Sequence, residues 1–155
     1  MRHQVTAYIA LGANVGDRRA NIGAALQWLR ETPHLEVSKV SSFLDNPAVG
    51  GPPGSGDFLN AVAEIQTTCS ARELLQVLLD AETHLGRQRR EKWAPRTIDL
   101  DLILYGDQVI QTPDLTVPHP LMHQRRFVLA PLAEIAPDVR HPLLNKTAAE
   151  LLREC

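Results

Sequence analysis

The spacing of apolar residues along the chain alternates between the period of a β-strand and that of an α-helix. It therefore predicts an alternation of strands and helices. A largely apolar run predicts a strand over residues 4–11. Apolar residues at helical spacing then predict a helix over residues 18–30, for which Asp17 is the expected N-cap. Further strands are predicted over residues 35–44, 58–67 and 97–105.

Capping patterns predict where two later helices begin. Ser70 and Glu73 have the capping-box spacing in front of an apolar stripe, and Gly86 is expected to end that helix. Thr147 and Glu150 repeat the same spacing near the end of the chain. A last short helix is therefore predicted after Thr147.

The segment after residue 105 predicts an extension of the fold. Gly106–Asp107 is a turn, and Val109–Ile110 is expected to return beside the preceding strand as a hairpin. Residues 125–135 predict a helix that Pro131 bends or interrupts. The order βαββαβ predicts an α+β fold with a ferredoxin-like core, an antiparallel sheet with helices, followed by a C-terminal hairpin and helical extension. The length favours a single domain, residues 1–155.

Charge and composition exclude several classes of partner. The net charge of −2 does not favour a polyanion or a lipid surface, and 5% aromatic residues are too few for a base-stacking platform. No apolar run approaches the roughly 20 residues of a membrane span. We therefore expect no nucleic-acid and no membrane partner. The two cysteines and an N-terminus without a secretory pattern predict a cytoplasmic protein, which we expect to be a monomer.

Asp99 and Asp101 are candidate metal ligands. Residues two apart on a strand share a face, so these carboxylates face one way while Ile98, Leu100, Leu102 and Leu104 are expected to face the core. Backbone positions two apart lie about 6.6 Å from each other. Magnesium takes one or two carboxylates and completes its shell with water and substrate phosphates. An amphipathic strand with a solvated acidic face would show the same spacing, so both interpretations stay open.

Basic residues are concentrated directly before this strand. They are Arg87, Arg89, Arg90, Lys92 and Arg96, with Trp93 among them. Guanidinium groups beside metal-binding carboxylates are typical of a triphosphate site, because they form bidentate, charge-assisted hydrogen bonds to phosphate oxygens. A basic run taken alone would more often be a solvated loop.

Glu82 falls on the apolar stripe of its predicted helix, in the last turn. The helix macrodipole disfavours a negative charge there. A cation would compensate this charge, and Arg87 or Arg89 is the expected partner. The alternative is a glutamate at the edge of the stripe that reaches solvent.

Three further residues have the chemistry of a nucleotide or heterocycle site. His119 lies between Pro118 and Pro120, which fix the backbone and so aim the imidazole, and we favour a phosphate contact over a structural role. The amide of Asn60 could bind the edge of a heterocycle whose faces contact aromatic rings. Phe58 and Phe127 could supply those rings or belong to an ordinary core.

Three segments together resemble the 6-hydroxymethyl-7,8-dihydropterin pyrophosphokinase family. They are residues 86–101, Val117–Pro120 with Arg125 and Phe127, and residues 46–50 with 58–61. The resemblance covers nearly the whole chain. It implies transfer of the β,γ-diphosphoryl group of ATP to the hydroxymethyl group of 6-hydroxymethyl-7,8-dihydropterin, with release of AMP, in folate biosynthesis.

The resemblance also implies roles for individual residues. Asp99 and Asp101 would hold two magnesium ions that bridge the ATP phosphates. The implied catalytic residues are Arg87, Arg89, Arg96, Asp99 and Asp101. Those implied to bind ATP are Glu82, Arg96, Thr116, His119 and Arg125. The implied pterin pocket consists of Asn46, Pro47, Val49, Phe58, Asn60, Trp93 and Phe127.

Two other classes of function remain alternatives. A metal-dependent phosphodiesterase could use the same carboxylates and arginines, although the net charge of −2 argues against the broad basic face that it would need. A non-catalytic, ligand-sensing ferredoxin-like module would leave the paired aspartates and the basic run unexplained.

Overall fold

The computed structural model describes residues 3–46, 58–86 and 98–155. Its strands and helices follow each other along the chain in the predicted order. They are β1 (Val5–Ala13), α1 (Arg18–Glu31), β2 (Leu35–Val40), β3 (Leu44–Asn46), β4 (Phe58–Thr67), α2 (Ala71–Gly86), β5 (Asp99–Tyr105), β6 (Ile110–Gln111), β7 (Thr116–Val117), a 3-10 helix (Met122–Gln124), α3 (Arg126–Ile135) and α4 (Ala148–Glu154).

The main sheet is antiparallel and has the order β2-β4-β1-β5, with β3 paired to β4 beyond the end of β2. The predicted ferredoxin-like α+β fold is confirmed. Strand β1 is central, between β4 and β5, so its residues from Ala7 to Gly12 are paired on both sides. Because of this central position, polar residues that are far apart in the sequence lie on either side of β1.

Helices α1 and α2 cover the first face of the sheet. Asp17 accepts the backbone N–H of Ala20 at 3.1 Å, which confirms it as the N-cap of α1. Ser70 and Glu73 exchange both bonds of a capping box, Ser70 N–H to Glu73 Oε1 at 2.8 Å and Glu73 N–H to Ser70 Oγ at 3.1 Å. The core between helices and sheet includes fully buried Ile9, Leu11, Ile22, Leu29, Leu74 and Leu78. Each such side chain contributes roughly 1.5–3 kcal/mol relative to exposure.

The C-terminal helices cover the middle of the opposite face. The second core cluster joins Tyr8 and Val62 of the sheet to Leu129 and Leu132 of α3 and Leu151 of α4. The predicted capping box of Thr147 and Glu150 is present at the start of α4. Pro131 does not interrupt α3, although it removes one helical N–H donor.

A bulge in β5 corrects the predicted direction of Leu104. Tyr8 pairs with Leu104 while Ile9 pairs with Leu102, so Ile103 is an extra residue. Leu102 lies in the α1–α2 core as predicted, but Leu104 lies with Tyr8 in the α3–α4 core. The prediction for Leu104 was wrong because an inserted residue reverses the two-residue alternation.

The strand predicted over residues 35–44 is also wrong, because it is divided into β2 and β3. Between them, the carboxylate of Glu134 in α3 accepts the backbone N–H and the hydroxyl of Ser42, each at 2.7 Å. A backbone donor held by a side chain is unavailable to the sheet, so regular pairing stops there.

The predicted return of Val109–Ile110 beside β5 is corrected as well. Ile110 pairs with Val117 and Gln111 with Thr116, so β6 and β7 form their own two-stranded sheet. Gly106 instead donates its N–H to Thr6 of β1 at 2.8 Å. The extension does contain a hairpin, but its partner strand lies later in the chain than expected.

The buried His141 predicts a loss of stability in acid. Its Nδ1 accepts the N–H groups of Leu143 and Leu144, at 3.2 Å each. Burial, and then the nearby His123 imidazole, lower the pKa of His141 below its ordinary value. As the pH falls, the histidine of the unfolded chain is protonated near pH 6.5, whereas His141 in the folded chain is protonated only at lower pH. The free energy of unfolding should therefore fall as the pH decreases below about 6.5.

Urea unfolding of the chain at pH 7, 6 and 5 would measure this loss. His141→Asn, whose amide oxygen replaces Nδ1 as acceptor, should flatten the acid limb of the pH profile. His3→Asn changes an exposed histidine and is the matched control. An unchanged acid limb in His141→Asn would contradict the assignment.

Candidate active site

The pairing of β1 with its two neighbours assembles the candidate site. Gly12 pairs with Asn60 of β4 on one side and with Asp99 of β5 on the other. Ala10 pairs with Asp101 in the next row but one. Directly paired residues project from the same face of an antiparallel sheet. Asn60, Asp99 and Asp101 therefore share the face on which α3 and α4 pack, and Asn60 and Asp99 lie beyond the Ala10–Val62 row of that core.

The two aspartates form the acidic part of this face. Asp99 is half-buried and Asp101 is exposed. Across residues 3–46, 58–86 and 98–155, no group of three or more His, Cys, Asp or Glu side chains is arranged to hold a metal ion. Two carboxylates alone fit magnesium that shares its remaining positions with water and substrate phosphates. Metal binding by Asp99 and Asp101 stays a prediction.

Glu82 has a partner that sequence reasoning missed. Its Oε2 accepts the backbone N–H of Leu100 at 2.9 Å. Leu100 stands between the two aspartates on β5, an edge strand of the sheet. Glu82 therefore links the end of α2 to the strand that carries both carboxylates. The expected cationic partners Arg87 and Arg89 lie outside the described residues.

His119 is fixed against the outer edge of β5. Its backbone N–H donates to Ile103 O at 2.9 Å, and its Nδ1 accepts the N–H of Leu121 at 3.1 Å. Burial lowers the pKa of His119, Asp101 opposes this shift, and Arg125 adds to it. The imidazole is therefore neutral at pH 7. With Nδ1 accepting a hydrogen bond, the ring proton is on Nε2, which can donate to a phosphate oxygen.

The start of α3 supplies a cation and an aromatic ring. The guanidinium carbon of Arg125 lies 5.7 Å from the centroid of the Phe127 ring. Both residues are half-buried. Asp101 and Arg125 both act on the charge of His119, so the structure brings these three predicted residues together. Thr116 is exposed on β7, the short strand just before the His119 segment.

Gly12 is a site residue that the sequence analysis missed. A Cβ at Gly12 would lie 3.0 Å from Asn60 Nδ2 and 3.8 Å from Phe58 Cδ1. Asn60 is 7% exposed, and its Oδ1 has no hydrogen-bond partner in the described part of the chain. A buried amide oxygen of this kind is expected to be satisfied by a bound molecule or water. The sequence analysis ended the first strand at residue 11 and so placed Gly12 outside it, whereas β1 continues to Ala13. A glycine inside a strand often marks a close approach.

Residues 42–46, which end the first described stretch of the chain, are held by contacts with two helices. Arg18 of α1 forms an ion pair with Asp45 at 3.1 Å, and Glu134 of α3 holds Ser42 as described above. Asn46 pairs with Phe58, and both are half-buried at the border of the Asn60 row. These contacts fix β3 beside the candidate pterin residues.

Six predicted site residues belong to segments that the structure does not describe. Pro47, Val49, Arg87, Arg89, Trp93 and Arg96 lie outside the described residues. The described part of the site therefore comprises Glu82, Asp99, Asp101, Thr116, His119 and Arg125 together with Asn46, Phe58, Asn60 and Phe127. Among the helices described, none has the length and apolar character needed to span a membrane.

Comparison with known proteins gives one consistent family. The family model described as 7,8-dihydro-6-hydroxymethylpterin-pyrophosphokinase matches residues 8–137. Curated proteins named 2-amino-4-hydroxy-6-hydroxymethyldihydropteridine pyrophosphokinase are similar over most of the chain. The protein from Synechocystis is 43% identical over 148 residues, 96% of this chain and 75% of its own length. The protein from Bacillus subtilis is 45% identical over 148 residues, 96% of this chain and 86% of its own length.

Solved structures support the fold. The wild-type HPPK-DHPS of Plasmodium falciparum with pteroate superposes with a TM-score of 0.72 over 99% of this chain, at 15% identity. An HPPK-DHPS in complex with substrates gives a TM-score of 0.75 over 97% of this chain, at 11% identity. This chain spans 43% of each of those longer chains. From its family match and its curated relatives, the chain belongs to the 7,8-dihydro-6-hydroxymethylpterin-pyrophosphokinase family.

Proposed function

We propose that this chain transfers the β,γ-diphosphoryl group of ATP to the hydroxymethyl group of 6-hydroxymethyl-7,8-dihydropterin and releases AMP, as a step of folate biosynthesis. Family membership and the names of the curated relatives support this activity. The observation that carries it is the row across β1, where Gly12 separates the buried amide of Asn60 from Asp99. A heterocycle at Asn60 would place its substituent next to the carboxylates.

The acidic part of the site suits the cation that such a reaction needs. Asp99 and Asp101 are oxygen ligands on one face, beside a neutral imidazole and a guanidinium, and so they fit magnesium bound together with phosphates. We propose that these two aspartates hold two magnesium ions. When bound, magnesium would neutralise phosphate charge.

The residues around the aspartates would position the triphosphate. His119 donates from Nε2, and Arg125 adds a charged donor on the same side. We also assign ATP contacts to Glu82, Thr116 and Arg96, and catalytic contacts to Arg87 and Arg89. Glu82 has a second task in this arrangement, because its bond to Leu100 N–H keeps Asp99 and Asp101 in place.

The pterin would lie at the other end of the row. The Asn60 amide binds its edge, while Phe58 and Phe127 contact its faces. Asn46, Pro47, Val49 and Trp93 complete the proposed pocket. Apolar faces with one precisely placed polar group are typical of sites for flat heterocycles.

Catalysis in this site consists of positioning and charge stabilisation. The hydroxymethyl oxygen of the substrate forms a bond to the β-phosphorus, and the bond from that phosphorus to the oxygen bridging to the α-phosphorus breaks. AMP leaves with the bridging oxygen, and the hydroxyl proton passes to the solvent or to a carboxylate. No protein nucleophile is required, because the substrate supplies the attacking oxygen.

We further propose that residues 1–155 act as one pyrophosphokinase domain, as a monomer in the cytoplasm. Light scattering coupled to gel filtration would test the monomer. The activity is tested by incubating the chain with ATP, magnesium and the hydroxymethyl pterin. AMP should be formed in step with the pterin diphosphate. ADP or orthophosphate as the main product would refute the assignment and favour another phosphoryl-transfer or hydrolytic activity.

Asp101→Ala should lower kcat by roughly 10²-fold or more, because it removes one of two carboxylates from the proposed magnesium site. Folding should survive, since Asp101 is exposed. Steady-state kinetics in saturating magnesium would measure the loss. Asp107→Ala, at another exposed aspartate, is the control. Near-normal turnover in Asp101→Ala would remove this residue from the metal site.

Gly12→Ala should raise KM for the pterin by about tenfold, since a Cβ at 3.0 Å from Asn60 Nδ2 displaces an amide that binds the ring. The affinity for ATP should change by less than about twofold, because the atoms nearest to the added Cβ belong to Asn60, Phe58 and Leu59 and to no proposed ATP residue. Calorimetry for ATP and initial rates for the pterin separate the two effects. Gly23→Ala, where a Cβ meets nothing within 4 Å, is the matched control. An unchanged pterin KM would contradict the prediction, because the Asn60 amide would then bind the ring despite the added Cβ.

A further inference from the structure

A cavity of about 590 Å³ lies at the other end of the sheet face that carries the candidate active site. Its walls come from β1, β4, the start of the turn after β5, and residues 135–140 at the end of α3. Lys39 of β2, which pairs with Glu64, also lines it. Ligand pockets commonly have volumes of roughly 300–1,000 Å³. The cavity is therefore large enough for a small organic molecule.

The cavity is separate from the candidate active site. Glu64 on its wall is four residues from Asn60 along β4, which is about 13 Å at the rise of a strand. Between the two, Val62 and Ala10 are covered by the α3–α4 core. A molecule in the cavity would not reach the row across Gly12.

Glu64 gives the cavity a buried negative charge. The residue is 8% exposed, and its Oε2 accepts the Tyr8 hydroxyl at 2.8 Å while Oε1 accepts the Ser38 hydroxyl at 2.9 Å. Within the described residues no lysine, arginine or histidine lies within ion-pair distance of this carboxylate. A carboxylate can accept about four hydrogen bonds, so Glu64 retains acceptor capacity.

The cations at the rim are engaged by backbone oxygens. Lys39 Nζ donates to Ile135 O at 3.4 Å, and Arg140 Nη1 donates to Asn145 O at 3.1 Å. Asp107 and Asp138 add two carboxylates to that of Glu64, so the lining has three acidic and two basic side chains. The C-terminal end of α3 adds the negative end of a helix dipole.

We propose that this cavity is a second ligand site, for a small organic cation that carries an ammonium or amidinium group on a compact apolar body. The cation would bind the Glu64 carboxylate, and Ile135, Pro137 and Val139 would contact the body. A buried carboxylate without a cationic partner gains most from a charged donor, because charge-assisted hydrogen bonds are the stronger kind. The proposed function does not require this site.

Titration of the ¹⁵N-labelled chain with benzamidine, followed by amide chemical shifts, tests the proposal. Saturable shifts are expected at Tyr8, Glu64 and residues 138–140. Benzamide has the same shape without the charge and should bind at least tenfold more weakly. Equal binding of benzamide, or shifts confined to the surroundings of Asp99 and His119, would overturn the proposal.

Three variants sharpen the test. Glu64→Gln should weaken benzamidine binding at least tenfold, whereas Glu31→Gln, at an exposed glutamate of α1, which packs on the opposite face of the sheet, should leave it unchanged. Ala136→Leu adds bulk to the cavity without changing its charge and should also weaken binding at least tenfold. This variant can test the site even if Glu64→Gln does not fold. Unchanged affinity in a folded Glu64→Gln or in Ala136→Leu would overturn the proposal.

Discussion

The register of β1 between β4 and β5 is the constraint on which the candidate site depends. It places Gly12 opposite Asn60 and Asp99 at once, although these three residues are far apart in the chain. A slip of one residue would turn Asn60 or the aspartates toward the α1–α2 core, where an unpaired carboxylate would be strongly unfavourable. The apolar residues that alternate with them, Leu11, Ala61 and Leu100, hold the register because they are buried in that core.

The outer edge of β5 shows how the fold maintains the two carboxylates in position. Like charges on one strand face repel, and an edge strand lacks a second neighbour to hold it. The Glu82 carboxylate accepts a hydrogen bond from the N–H of Leu100, and the backbone N–H of His119 donates one to the carbonyl oxygen of Ile103. Backbone groups that a neighbouring strand would bind are thus bound by α2 and by the segment that carries His119. The same bonds that complete the edge also bring His119 beside Asp101.

Helix α3 divides the second face of the sheet into two regions. Its apolar side packs on Val62 and Tyr8, and its first residues, with Arg125 before them, border the candidate active site. Its last turn borders the cavity around Glu64. Glu134 of the same helix holds Ser42 and so helps to place β3 beside Asn60. Helix α3 therefore stabilises the core and also borders both the candidate active site and the cavity.

The sequence by itself determined the features that arise from neighbours along the chain. The Asp17 cap, the Ser70–Glu73 and Thr147–Glu150 capping boxes and the alternation from Asp99 to Leu102 each involve residues two or three positions apart, so composition and spacing reveal them. The family resemblance likewise rests on contiguous motifs, and the family comparison confirms it.

Only the tertiary structure decided the features that join distant segments. The bulge that turns Leu104 away from Leu102 depends on how β5 meets β1, and the partner of Glu82 is a backbone group 18 residues away. The space at Gly12 is tight only because the Asn60 amide lies 3.0 Å from where a Cβ would be. A backbone donor carries no sequence signal, and packing distances depend on the whole fold, so no local pattern could reveal these contacts.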